Sequence, residues 1–83
     1  MATVTRTFKI KDVRTSDIQL KCVKTGLVVF VEKDKTWYSS LMWKKIQELQ
    51  ENEQVKLTLE SQNSKNTVWK ITAIEDFSKH VRN

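Results

Sequence analysis

The stretch WYSSLMWKKIQELQEN, residues 37–52, decides how this chain folds, because it is the one part with helical periodicity. Its large apolar residues fall on one side of a helical wheel, and charged and amide side chains fill the remainder. That apolar side consists of Leu41, Met42, Trp43, Ile46 and Leu49. Ser39 or Ser40 can cap the start through its hydroxyl, and Asn52 is a suitable stop because asparagine tolerates the left-handed conformation. The sequence therefore predicts one amphipathic helix that covers a sheet or plugs a barrel.

The segments on either side of this helix alternate apolar and polar residues, which is the pattern of half-buried strands. Five segments show it: residues 3–14, 18–23, 27–32, 54–61 and 67–74. In the first segment the alternation slips at Asp12–Val13, which predicts a bulge or the end of a strand. In the second, Cys22 is expected to point inward. Gly26, the single glycine, predicts a turn with positive φ between the second and third strands.

The third and fifth strands carry apolar residues on both faces. In the third, Leu27, Val29 and Val31 are expected to face the core, and Val28 and Phe30 are expected to face outward. In the fifth, the core side is expected to be Trp69, Ile71 and Ala73. A strand of this kind is either covered on both sides or presents an apolar face to a partner.

Length and composition indicate one globular domain spanning residues 1–83, with a frayed tail at 78–83. No apolar run approaches the roughly 20 residues of a membrane span, and MATVTRTFKI does not resemble a signal peptide, since charges interrupt it. A single cysteine forms no internal disulfide, whereas small secreted folds usually carry several. We therefore expect a cytoplasmic protein without membrane association.

The net charge of +5 is distributed unevenly along the chain. Residues 1–45 carry ten Lys/Arg and four Asp/Glu, whereas residues 46–83 carry five and six. A basic half favours a polyanionic partner. Excess lysine also keeps small proteins soluble, so charge alone leaves both interpretations open.

The predicted order is strand, strand, strand, helix, strand, strand, over residues 3–77. This order and spacing resemble the oligonucleotide/oligosaccharide-binding (OB) barrel, a mainly β, five-stranded Greek-key fold with one helix between strands 3 and 4. No short motif accompanies the resemblance, and the first strand lacks the glycine that often lets such a strand bend. The alternative is an open antiparallel sheet with the helix on one face. We favour the barrel because an open sheet of such short strands has edges to protect.

Catalytic and metal chemistry has few candidate residues. His80 is the single histidine and lies near the C-terminus, and Cys22 behaves as a small buried hydrophobe. One cysteine and one histidine do not make a zinc site. The acid pair Glu75-Asp76 is best interpreted as a solvated strand end. We expect no enzyme activity, no metal and no cofactor.

Nucleic-acid binding is better supported, since single-strand binders need cations for phosphates and aromatic faces for bases. In OB barrels the ligand face centres on strands 2 and 3, with the 1–2 and 4–5 loops at its sides. The resemblance therefore implies a site on this face and its flanks. The candidate residues are Lys9, Lys11, Arg14, Lys21, Lys24, Phe30, Lys33, Lys35, Trp37 and Lys65. Phe30 and Trp37 are the candidates for base stacking.

Two hypotheses follow from the sequence. The first is a small basic protein that binds single-stranded DNA or RNA with little sequence preference, aided by assembly into a homo-oligomer that multiplies contacts. The second is an adaptor, inhibitor or subunit that docks on a larger protein through the Val28/Phe30 face or through Trp43. Lysines that converge beside an exposed aromatic residue favour the first, and scattered lysines around a large apolar patch favour the second.

Overall fold

Five strands and one helix form in the chain segments where the sequence alternates or repeats in the way just described. The computed structural model describes residues 2–75. The strands are β1 (Thr3–Val13), β2 (Asp17–Cys22), β3 (Val28–Glu32), β4 (Gln54–Ser61) and β5 (Trp69–Glu75), with a 3-10 turn (Lys35–Trp37) and helix α1 (Ser40–Gln47) between β3 and β4. The strands close into a barrel in the order β1-β2-β3-β5-β4. The prediction of a mainly β, five-stranded barrel with its helix between strands 3 and 4 is confirmed, and the open sheet is excluded.

Strand β1 closes one side of the ring by pairing with two neighbours. Residues 3–9 pair with β4, and residues 8–13 pair with β2. The register with β2 shifts between Ile10 and Asp12, so Lys11 is the extra residue of a β-bulge. A bulge bends a strand and increases its twist. The bulge predicted from the alternation is therefore present, and it supplies the bend in a strand that has no glycine.

The barrel interior is filled by the inward-facing residues of all five strands. Alternation predicts these positions correctly in β2 and β4, because one face of each strand packs on the core and the other faces solvent. The buried apolar residues are Phe8, Ile10, Ile18, Leu20, Cys22, Val31, Ile46, Leu49, Val55, Leu57, Leu59, Trp69 and Ile71. Branched aliphatic side chains dominate, which is the usual filling of a small barrel.

Helix α1 follows the end of β3 and precedes the start of β4, so it packs at one end of the barrel. Ile46 and, just beyond the helix, Leu49 are buried there, with Met42 and Trp43 packed partly against the core. The Ser39 hydroxyl accepts a hydrogen bond from the Met42 N–H at 3.2 Å, which confirms a serine cap. We call this end of the barrel the helix end, and the opposite end the open end.

The helix is shorter than residues 37–52. Trp37 belongs to the 3-10 turn, and Tyr38 and Ser39 have extended backbones, so α1 cannot begin before Ser40. Asn52 has φ +71°, the left-handed conformation expected of it, but in a turn beyond the helix. The placement of Leu41 in the core is wrong: it is 66% exposed. Its position lies at the edge of the predicted apolar side, and the barrel covers only the Ile46 and Leu49 side.

The seam between β3 and β5 is the weakest closure of the ring. These parallel strands pair at one position within residues 2–75, Val31 with Trp69. Next to this bridge the Tyr38 hydroxyl donates to the Glu32 C=O at 3.1 Å and accepts from the Ile71 N–H at 3.3 Å. Burial of the phenol raises the pKa of Tyr38. The Tyr38 side chain, from the segment before α1, thus joins backbone groups of β3 and β5 that do not hydrogen-bond to each other directly.

Two other expected core positions are corrected by the structure. Leu27 is 66% exposed, because β3 begins only at Val28 and Leu27 lies on the rim of the open end. Ala73 is exposed as well. The β4–β5 register pairs Leu59 with Ile71 and Thr58 with Ala73, so Thr72 is a bulged residue. Beyond that bulge the inward and outward positions of β5 exchange, so Ile74 rather than Ala73 packs against the core.

The remaining local predictions concern the Gly26 turn and the C-terminal residues. Gly26 has φ +77° in the β2–β3 turn, as expected. Fraying at 78–83, and the residues Asp76, Phe77 and His80, lie outside residues 2–75. Within that range no helix is long and apolar enough to cross a bilayer.

Candidate functional site

The outer face of β1, β2 and β3 brings several predicted residues together in rows across the strands. Lys9 pairs with Lys21, and Lys21 pairs with Val28. In the next row, Asp12 pairs with Gln19 and Gln19 with Phe30. Side chains directly opposite one another across strands lie about 5 Å apart at Cβ. We call this set of residues, together with Lys11 and Arg14, the outer-face site.

Lys9 and Lys21 form a like-charge pair in the first row. Their side chains project from neighbouring positions of two strands, and like charges placed in this way destabilise a sheet. Among residues 2–75, the ion pairs involve Arg14 and Lys56, and neither Lys9 nor Lys21 has a carboxylate partner. The chain thus keeps two uncompensated cations side by side, which is the arrangement that a bound anion would stabilise.

Phe30 and Arg14 form a flat surface in the second row. Phe30 is 44% exposed. The guanidinium carbon of Arg14 lies 5.7 Å from the centre of its ring, within range of a cation–π interaction. Aromatic rings and guanidinium planes are both groups on which nucleobases stack in other complexes.

Acidic residues hold Arg14 in this position. Its Nε donates to the Asp17 carboxylate at 2.7 Å, and Asp12 lies at 3.9 Å. The hydrogen bond to Asp17, with the charge of that carboxylate, raises the pKa of Arg14. Part of the positive charge of Arg14 is therefore compensated, and the free positive charge of the site comes chiefly from its lysines.

The β-bulge at Lys11 decides which side chains of β1 face outward beyond Ile10. Lys11 is the inserted residue, it is exposed, and it lies between the two rows. With unbroken alternation Lys11 would also face outward, but Asp12 would take the next inward-facing position after Ile10. The bulge therefore keeps an acid out of the core and leaves Lys11 on the outer face.

The other predicted cations lie beyond the two rows, towards the ends of the barrel. Lys24 is exposed in the β2–β3 turn, and Lys65 is exposed in the β4–β5 loop. Lys33 and Lys35 follow β3 at the helix end, where the Lys33 N–H donates to the Ser16 C=O of the β1–β2 loop at 2.9 Å. The ten predicted residues thus form a central group of Lys9, Lys11, Arg14, Lys21 and Phe30, with the rest around it.

The remaining aromatic residues of the helix region are more buried than Phe30. Trp37 is half-buried in the 3-10 turn. Tyr38 and Trp43 stack with ring centres 6.1 Å apart, and both pack against the core. Phe30 is therefore more exposed than these three aromatic residues.

A cleft opens beside β3 where the seam with β5 ends. It has a volume of about 390 Å³ and is lined by Leu27, Val28, Val29, Phe30, Asn66, Thr67 and Trp69. We call it the seam cleft. It adjoins a second cavity, of about 340 Å³, at the open end, which shares Leu27, Val29, Asn66 and Trp69. The sequence did not predict either cavity.

Arg6 is a further residue that the sequence reasoning passed over. It lines the open-end cavity with Val4 and Phe8, the positions of β1 with the same inward facing. Its Nη1 donates to the Thr5 C=O at 2.9 Å. A charged residue at an inward-facing position of an otherwise apolar strand face was the signal that could have identified it.

The described residues hold one cysteine and few clustered metal-ligand side chains. Among positions 2–75 no group of three or more His, Cys, Asp or Glu side chains could hold a metal ion. Cys22 is buried, and a hydrogen bond with the Thr25 side chain lowers the pKa of its thiol. Glu75 is exposed and lies 3.9 Å from Lys56, so it is already engaged in an ion pair.

Comparisons of the chain with protein-family models, with curated proteins and with solved structures find no match. The geometry of the described residues is therefore the basis for the functional conclusion.

Proposed function

We propose that this chain is an OB-like protein that binds single-stranded nucleic acid through the outer-face site. The observation that carries the proposal is the uncompensated Lys9–Lys21 pair, one row away from Phe30 and the Arg14 guanidinium 5.7 Å from its ring centre. The lysines would bind phosphates, and the ring and the guanidinium would stack with bases. The strand order and the position of the helix agree with the OB-like interpretation.

The spacing of the rows supports this assignment of roles. Lys21 and Gln19 are two residues apart on β2, about 7 Å along the strand. Lys21 is in the lysine row, and Gln19 is in the row of Phe30. One nucleotide therefore spans from a cation to the stacking surface. The face carries few groups arranged to read base edges, so the proposed binding has little sequence preference.

A single barrel of this size covers a short segment, on the order of 4–16 nucleotides. Assembly of several copies along one strand would multiply the contacts and raise the overall affinity. The proposal covers DNA and RNA alike, because phosphate contacts and stacking occur with both.

Titration with a labelled single-stranded oligonucleotide at increasing salt is the direct test. We expect the logarithm of the association constant to fall linearly with the logarithm of salt concentration, by about 0.7 for each phosphate contacted. Lys9, Lys11 and Lys21 together predict a slope near −2. A flat response, or no binding at low salt, would contradict the proposal.

Substitution of Phe30 separates stacking from charge. Phe30→Leu keeps an apolar side chain but removes the aromatic face, and we expect it to weaken oligonucleotide binding about tenfold with an unchanged salt slope. The matched variant Phe30→Trp keeps an aromatic face and should bind at least as tightly as the parent chain. Equal binding by both variants would show that Phe30 does not stack with bases. Fluorescence anisotropy titrations measure both the affinity and the salt slope of each variant.

A protein partner is the second candidate, and a specific observation favours it. Four large apolar residues are exposed on or beside the β2–β3 hairpin: Val23, Leu27, Val28 and Phe30. Exposed apolar clusters of this kind mark interaction surfaces. Salt dependence distinguishes the two candidates, since apolar docking does not release counterions from phosphates.

A further inference from the structure

We infer that the seam cleft is a second binding site, which accepts an extended acidic peptide as an added strand along β3. Three features of the structure support this: an unpaired backbone edge of β3, apolar side chains that line the cleft beside it, and lysines in the turn and loop that border the cleft. The inference does not depend on the proposed nucleic-acid function, because it concerns the backbone edge of β3; Val28 and Phe30 border both this cleft and the outer-face site.

The backbone edge follows from the hydrogen bonds between β2 and β3. The Cys22 N–H donates to the Leu27 C=O at 2.8 Å. Bonded and non-bonded positions alternate in an antiparallel pair, so Val29 and Val31 are the residues of β3 that bond to β2. The backbone groups of Val28 and Phe30 therefore point away from β2, towards the seam. The parallel Val31–Trp69 bridge engages the Phe30 C=O, so the unpaired edge consists of the Val28 N–H and C=O and the Phe30 N–H.

Strand β5 does not extend far enough to cover this edge. The single β3–β5 bridge joins Val31 to Trp69, and before Trp69 the chain is in the β4–β5 loop rather than in a strand. Within residues 2–75, no strand lies opposite the Val28 backbone. Unpaired edges of this kind recruit extended segments, because the N–H and C=O groups already point outward in register.

The floor of the cleft suits alternate apolar side chains of such a segment. Leu27, Val29 and Trp69 line both the seam cleft and the adjoining open-end cavity. Every second side chain of an added strand points to the same face. One apolar side chain can thus enter the cleft and the next can reach the open-end cavity.

The charges around the cleft select the occupant. The turn and the loop that border it carry Lys24 and Lys65, both exposed, whereas Glu32 ends β3 at the helix end and Glu60 pairs with Lys70 across β4 and β5. Cations on both sides favour a partner strand whose polar positions are acidic.

The probe for this inference is an acetylated and amidated peptide of alternating glutamate and valine, about eight residues long, the length of an ordinary strand. Two isomers of it carry N-methyl groups, either on the valine amides or on the glutamate amides. Successive amides of a strand point to opposite edges, so only one isomer loses its hydrogen bonds to β3. We expect that isomer to bind at least tenfold more weakly than the other.

Protein variants test the charge contribution. Lys24→Glu/Lys65→Glu should weaken the unmodified peptide at least tenfold, and the matched variant Lys44→Glu/Lys45→Glu on α1 should not. In amide NMR spectra the peptide should shift the signals of Val28, Phe30 and Thr67. A glutamate-only peptide should bind more weakly than the alternating one, because it cannot fill the apolar floor.

Several outcomes would overturn the inference. Equal binding by the two N-methyl isomers would exclude strand addition, and equal binding by the glutamate-only peptide would show a purely ionic contact. An oligonucleotide that displaced the peptide and shifted the Thr67 amide would assign the cleft to nucleic acid. Loss of peptide binding in a Lys9/Lys21 variant would assign the peptide to the outer-face site instead.

Discussion

Replacing Lys9 and Lys21 together by glutamine is expected to weaken binding to single-stranded oligonucleotide by about 100-fold at about 50 mM salt. Each lost phosphate contact lowers the salt slope by about 0.7, so the slope should fall by about 1.4. The same substitution should stabilise the folded protein by a few tenths of a kcal/mol, because it removes a like-charge pair opposite across two strands. A loss of binding together with a gain in stability distinguishes a functional pair from a structural one.

Lys44→Gln/Lys45→Gln is the matched control for this experiment. It removes the same two charges from the exposed last turn of α1, outside the outer-face site. Its affinity should stay within a few-fold of the parent chain. Equal losses in both double variants would mean that net charge alone drives binding. Chemical unfolding measures the stability of each variant, and anisotropy titrations at several salt concentrations give the slopes.

Tyr38→Phe is expected to destabilise the barrel by about 1–3 kcal/mol, a large effect for the loss of one oxygen atom. The hydroxyl is a partner of both the Glu32 C=O and the Ile71 N–H. Its removal leaves two backbone groups without that partner at a seam with a single strand bridge. Each of the two lost hydrogen bonds contributes a net of about 0.5–1.5 kcal/mol. Hydrogen exchange at the Ile71 amide should accelerate, which localises the effect to the seam.

The exposed hydroxyl of Thr58 supplies the control for Tyr38. Thr58→Val removes the 2.9 Å bond to Thr5 on the outer surface and should change the free energy of unfolding by less than about 0.5 kcal/mol. Equal losses in the two variants would contradict the special role of the seam.

Alkaline pH tests the Tyr38 hydroxyl in the unmodified protein. Burial raises the pKa of Tyr38 above its unfolded value, so the folded state holds its proton more tightly. The resulting stability is present below about pH 10 and is lost as pH rises through the folded pKa. Tyr38→Phe should lack this part of the decline, and the comparison of the two pH profiles isolates it from lysine titration.

Local alternation was enough to locate most of the fold. The inward positions of β2 and β4 were predictable because each strand has one apolar and one polar face, and a one-residue slip would have exposed every core residue. The bulge in β1 was predictable because the phase visibly breaks at Asp12–Val13. The bulge at Thr72 was not, since Ala73 and Ile74 are both compatible with burial and the sequence shows no break.

Helix and core boundaries depended on contacts that are distant in sequence. Tyr38 would have continued the helical pattern, but its side chain bonds to β5, and its backbone is extended as a result. Leu27 was expected in the core because it shares the alternation of Val29 and Val31. Whether that position is covered depends on how far β5 extends beside β3, which no local pattern encodes.

The candidate site was likewise predictable in part. Strand alternation predicts that the side chains of Lys9, Lys21 and Phe30 point outward. They share one face because β1, β2 and β3 are neighbours in the barrel. The compensation of Arg14 by Asp17 was not predicted, because it depends on the conformation of the β1–β2 loop. The seam cleft was also not predicted, because it results from the short overlap of β3 with β5.

The position of the seam has a consequence for the order in which this barrel assembles. The β1–β2, β2–β3 and β4–β5 pairings join neighbouring segments, whereas Val31 and Trp69 are 38 positions apart and Thr3 and Glu60 are 57 positions apart. Bringing distant segments together requires closing a long loop before the contact contributes any stability, which slows folding. The three-stranded meander and the β4–β5 hairpin can thus form early, and the ring closes late, when the hairpin pairs with β1 on one side and with β3 on the other. Of these two closures the seam has fewer pairs, so local opening of the ring is expected to begin there.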